Sequence, residues 1–262
     1  MPVPSNLAPD ALQSYQDAMD AMSRVAGSFN LFSLLATHFP GIPSLMSGRE
    51  GLWTAASVAD PWTALGLFLL LPTVGIGLAS LYYVSVGRQV VGRSEGIGPS
   101  WRRVWKTWVR LLGFVLLLSG VLLLAGLPVT AAVLFFGAAN SSVLDFLAAF
   151  VWVTALWVQF YLFFVVDAMV VSDVGPLQAI RNSVAVVKFH LGSTMGLIVL
   201  IWIVTLGMPI VWESIAQSTA GIVVGILGNA YIATGLTAAS MTYYRDRFRG
   251  IGDMGQGRGV RS

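Results

Sequence analysis

Residues Ser172 to Ser193 read SDVGPLQAIRNSVAVVKFHLGS, a short basic stretch between two long apolar runs. Pro176 suits the first turn of a helix, where a missing N–H costs nothing; Asp173 is placed to cap it and Gly175 to bend the chain. Leu177, Ile180, Val184, Val187 and Leu191 recur at helical spacing on one face, and Gln178, Arg181 and Lys188 take the other. Such a helix lies in a membrane interface, apolar side down, until the chain enters the bilayer at Leu191. This reading makes its neighbours membrane spans.

The rest of the chain agrees. Of its 262 residues 56% are hydrophobic and only 10% charged, against about 25% charged in soluble domains. Five runs reach the roughly 20 residues a helix needs to cross a bilayer: Trp62–Val84, Leu111–Phe136, Leu147–Val171, Leu191–Val211 and Ala220–Met241. Each must be helical, because unpaired backbone groups are too costly in hydrocarbon. A further run, Val25–Met46, carries Asn30, His38, Pro40, Gly41 and Pro43. The expectation is an all-α bundle of six spans, or five if that run does not cross. It divides into an amphipathic segment (1–24), a transmembrane domain (25–243) and a basic, flexible tail (244–262). The first residues lack the basic start and apolar run of a cleavable signal peptide.

Charge sets the orientation. Arg88, Arg93, Arg102, Arg103, Lys106 and Arg110 lie between the first two strong spans, and Arg181 and Lys188 between the third and fourth. Arg245, Arg247, Arg249, Arg258 and Arg261 follow the fifth. Alternating spans put all three groups on one side, and the positive-inside rule makes that side, with the C-terminus, cytoplasmic. The expected location is a prokaryotic inner membrane.

The opening stretch has an echo in GPSWRRVWKTWVRLLG, Gly98–Gly113, which also begins Gly-Pro and ends Leu-Gly. Trp101, Val104, Trp105, Trp108 and Leu112 make one stripe there; Arg102, Arg103, Lys106 and Arg110 make the other. Trp101, Trp105 and Trp108 suit interface anchors, and the basic residues, with Arg181 and Lys188, suit anionic lipid of the cytoplasmic leaflet. A fainter copy, Pro9–Val25, suggests three repeats of interfacial helix, span, span, although its Asp10, Asp17 and Asp20 are the wrong sign for that leaflet. Any loop preceding a span could also look amphipathic.

Gly175-Pro176-x-x-Ala179-Ile180-Arg181-x-Ser183 resembles a motif of a diffuse group of prokaryotic multi-span integral membrane proteins. The group includes the membrane domain found beside some glycerophosphoryl diester phosphodiesterases. The resemblance covers mainly the last 100 residues and implies about six helices with interfacial helices. It supplies no catalytic residues, and with no soluble phosphodiesterase domain in this chain that activity is not inferred. Gly98-Pro99 lacks the Ala-Ile-Arg-x-Ser continuation.

Chemistry is sparse. Without cysteine there are no disulfides, thiolate sites or cysteine nucleophiles. The two histidines, His38 and His190, have no His or Glu partner at metal-ligand spacing, so no metal site is expected. His38 is the one candidate axial ligand for a haem or pigment; a polar packing contact is the plainer role. Asp167 is the notable intramembrane carboxyl, expected to form a structural ion pair with Arg181 or Lys188, with a proton or ion relay as the other reading. Ser119-Gly120 lacks the surroundings of a rhomboid-type nucleophile, and no enzyme is expected. Gly192-x-x-x-Gly196 and Gly221-x-x-x-Gly225 suit close helix packing, within the chain or between subunits. The aromatic third span (Phe150, Trp152, Trp157, Phe160, Tyr161, Phe163, Phe164) suits lipid and packing, with a pigment or quinone groove as the alternative.

These residues predict a non-enzymatic accessory subunit without cofactor, binding lipids and other membrane proteins and no nucleic acid. The alternatives are a transporter component with a polar site near Asp167 and Asn229, or a pigment- or quinone-binding subunit.

Overall fold

A computed structural model describes residues 61–92, 100–136 and 141–259, which are helical apart from short connections, with no strand among them. In chain order the helices are α1 (Pro61–Val91), α2 (Trp101–Phe136), α3 (Ser141–Leu162), α4 (Val165–Val171), α5 (Pro176–Phe189), α6 (Leu191–Ile215) and α7 (Thr219–Gly259). Among the described residues five stretches are long and apolar enough to cross a membrane: Leu65–Val91, Trp101–Ala131, Asp145–Val171, Leu191–Ile215 and Thr219–Ile251. The chain is an all-α membrane bundle. Val25–Met46, the Pro9–Val25 copy and His38 lie outside the described residues.

Three features differ from the sequence expectation. The Trp101 stretch is not a separate interfacial helix: α2 runs unbroken for 36 residues, about 54 Å at 1.5 Å per residue and well beyond a hydrocarbon core of about 30 Å. Gly113 at the junction does not interrupt it, so the amphipathic turn and the span form one rod. The third span does break, at Phe163-Phe164 between α3 and α4. The last helix also does not stop at residue 243. The last helix continues through Gly259, because Tyr244 is fully buried and Phe248 and Ile251 pack on the same core.

Contacts between helices fix their directions. Tyr82 on α1 donates to Thr234 and Thr237 on α7 at 3.3 and 3.2 Å, and Arg245 on α7 donates to the Val90 carbonyl near the end of α1. These two helices run parallel, as first and last of five alternating spans should. Helix α6 runs antiparallel to α7: Ser193 and Thr194 meet Tyr243 at one end, and Trp212 lies over Gly228 toward the other.

The core gathers at one end. Ile76, Leu111, Phe114, Phe164 to Met169, Ala179, Val186, Val187 and Tyr244 are buried, mostly together, where α1, α2, α4, α5 and α7 converge. Away from it the rods are mostly uncovered: only 6% of the most apolar window is buried in each of Trp101–Ala131 and Thr219–Ile251.

Candidate functional site

The tight end is also the basic end. Lys106 and Arg110 on α2 both pair with Asp173, which follows α4, and Arg245 reaches the end of α1. Ser172 hydrogen-bonds Tyr244 at 3.0 Å, and Arg247 lies 5.3 Å above the Tyr243 ring. The arginine-bearing segments that alternation placed on one side thus meet at one end of the fold. Asp173 sits at φ 55°, a left-handed position that Asp and Asn tolerate better than most residues. It does not cap α5. That helix begins at Pro176 after the N-cap residue Gly175, which has φ −75° and no side-chain cap, so glycine is not required there by its backbone. Partial burial alone would raise the Asp173 carboxyl, but the hydrogen bonds and charges of Lys106 and Arg110 outweigh it and hold the carboxyl below its usual value.

Helix α5 buries a different face from the one its stripe suggested. Ala179, Ser183, Val186 and Val187 are buried, whereas Leu177 is 63% exposed; the inward face is turned by about a quarter turn at 100° per residue. The reason is Ser183. Its hydroxyl donates to the Tyr161 carbonyl at 2.7 Å and accepts from the Phe164 N–H at 3.1 Å. One side chain therefore satisfies both sides of the break in the third span, which bilayer physics requires. Ala179 and Ser183 are small enough to let α5 approach that closely.

Asp167 lies at the centre of the core, 5% exposed. The expected ion pair with Arg181 is absent: Arg181 and Lys188 are exposed on the outer side of α5, and Asp167 Oδ2 instead accepts from Ser240 Oγ on α7 at 2.5 Å. Long basic side chains gain more by staying in water than by following a carboxyl into the core. Tyr83 on α1 and Tyr244 on α7 stand within electrostatic reach of Asp167, and Tyr244 is also hydrogen-bonded by Asn182. The site is therefore one carboxyl among hydroxyls, at the junction of α1, α4 and α7. Asn229 does not belong to it. Eleven residues separate it from Ser240 along α7, about 16 Å of helical rise.

The remaining candidates divide. Trp101 and Trp105 are exposed beside exposed Arg102 and Lys106, with Arg103 half-buried. Trp108 turns inward, its indole donating to the Thr73 carbonyl at 3.0 Å over the space Gly77 leaves; it is a packing residue, not an outward anchor. Gly192 and Gly196 face nothing among the described residues. Gly221 closes on the Ile215 carbonyl and Gly225 is buried, but the close helix contact is at Gly228, under Trp212. Phe150, Trp152 and Trp157 point outward. His190 ends α5 with its Nδ1 buried and without a hydrogen-bond partner. Among the described residues no cluster of three His, Cys, Asp or Glu could hold a metal ion.

Ser183, Ser240, Tyr83 and Tyr244 were missed as site residues by the sequence. Ser183 at least carried a signal, as the last residue of the Gly-Pro motif. Comparison with protein-family models, with curated proteins and with solved structures finds no match.

Proposed function

We propose that the chain is a non-enzymatic structural or accessory subunit of a prokaryotic cytoplasmic membrane, binding other membrane proteins and lipid through its span surfaces, with the basic end and the C-terminus inside. The carrying observation is the contrast in packing. One end is a filled core, while the apolar rods beyond it touch each other little: Leu123 and Leu124 are each 72% exposed, Leu206 73% and Tyr231 83%. Helices in lipid associate through packing rather than through apolar burial as such, so surfaces this extensive suit lipid together with neighbouring helices. Gly192 and Gly196, open to the outside, would allow a neighbour's backbone to come close. Trp101, Trp105, Arg102, Arg181 and Lys188, all exposed, suit the headgroup region of an anionic leaflet.

Native mass spectrometry of the chain extracted in mild detergent tests this reading. Recovery with a stoichiometric membrane-protein partner is expected. Clean recovery of a lone monomer, at several detergent strengths, overturns it.

A further inference from the structure

We propose that Asp167 is a reversible proton-binding site at the junction of α1, α4 and α7, carrying its proton while the junction is closed and opening the α4–α7 contact when the proton leaves. The inference does not depend on the subunit reading. A carboxyl removed from water is tolerated when a cation pairs with it or when it is neutral, and among the described residues no cation pairs with Asp167. The neighbouring charges are all engaged or turned elsewhere. On α2, Lys106 and Arg110 are committed to Asp173. On α5, Arg181 and Lys188 face outward. On α7, Arg245 is held by Asp246 and the Val90 carbonyl. Arg88, near the end of α1, is not among the groups that act on Asp167; burial and the Ser240 hydrogen bond are. The titratable groups that face it are the phenols of Tyr83 and Tyr244.

The position gives protonation a structural consequence. Asp167 and Ser240 belong to different spans, and their hydrogen bond joins a seven-residue helix to the last rod. Helix α4 is preceded by the Phe163-Phe164 break and followed by exposed Asp173, so its helical backbone is continuous with neither α3 nor α5. On deprotonation the carboxylic O–H bond breaks, its electron pair stays on oxygen, and the proton passes to water or a buffer base. The resulting anion has one hydroxyl donor where water would supply several, and hydration is gained only by parting α4 from α7.

The sign follows from linkage: a proton bound in the closed form and released in the open form makes stability fall as pH rises. The test uses the full chain in lipid nanodiscs, titrated from about pH 5 to about pH 10. The melting temperature should fall by about 5 °C or more across that range, and the dependence should vanish in Asp167→Asn, which keeps a neutral side chain of the same shape. Tyr83→Phe should retain it. An infrared carboxylic-acid C=O band should persist at neutral pH, where water-exposed carboxyls are ionised, bleach with the same midpoint, and be missing from Asp167→Asn. A flat or rising pH profile, a dependence that follows Tyr83 instead, or a native chain without the neutral-pH band overturns the proposal. The last readout decides even if Asp167→Asn fails to fold.

Discussion

Ser183 shows how much one hydroxyl can carry inside a membrane protein. It accepts the Phe164 N–H and donates to the Tyr161 carbonyl, where water is not available to replace it. Ser183→Ala should therefore cost about 2–4 kcal/mol, two unsatisfied buried groups at about 1–2 kcal/mol each, seen as a lower melting temperature in detergent. Asp173 offers a smaller, pH-dependent effect. Its folded-state ionisation lies below the unfolded value, so its contribution is complete above about pH 4 and is lost as pH falls through the lowered folded value. Its side chain is 56% exposed, which limits the pair with Lys106 and Arg110 to about 1 kcal/mol or less. Asp173→Asn keeps the left-handed backbone and should remove that part of the acid sensitivity in a melting series below pH 5. At this scale the sequence was half legible. Asp167 stood out as a charge in an apolar run, but its partner did not, because matching carboxyl to arginine ignores the serine on a helix 73 residues away.

The helices were more legible than their edges. Apolar length located five spans, since the bilayer imposes that length directly. The joints were harder to read. Nothing in VQFYLFFVVDAM marks a break, which exists because α5 supplies a hydroxyl from outside the run. The fused α2 was misread for the converse reason: an amphipathic turn and a span have different faces but the same backbone. The end of α7 was misjudged because arginine and glycine content suggested a loose tail, whereas Tyr244 and Phe248 stack at 5.5 Å on the core. Tyr244→Ala should destabilise the protein by about 3–5 kcal/mol, in the range of large-to-small aromatic truncations. Deleting residues 244–262 should do at least as much harm, read as loss of the folded peak in size-exclusion chromatography. A merely flexible tail could be removed without effect. Close contacts between rods give a sharper test. At Gly87 a Cβ would collide with the Val170 side chain, so Gly87→Leu should separate α1 from α4, whereas the same change at Gly196, which faces nothing among the described residues, should leave the monomer's melting temperature within about 1 °C.

For the molecule as a whole, one arrangement organises the rest: a basic, well-packed end from which apolar rods extend. Because the chain has no cysteine, sidedness can be read with single introduced thiols. Ser100→Cys, Lys188→Cys and Arg247→Cys should all label from one face of sealed inverted vesicles, and Glu213→Cys from the other. Labelling of Ser100→Cys and Arg247→Cys from opposite faces would contradict the parallel course of α1 and α7. The sign of the charges made this layout legible from the sequence, since arginine placement governs which loops stay inside. That the same end would also hold the core was not legible, because it depends on α4 and α5 folding back under the spans.

The order of the helices has a consequence for biosynthesis. Ser240 and Tyr244 wall in Asp167 from α7, so the centre stays unsealed until the ribosome has made that rod. A nascent chain arrested before residue 219 would leave the acid without its serine donor. Emergence of α7, rather than insertion of the earlier spans, thus closes the centre.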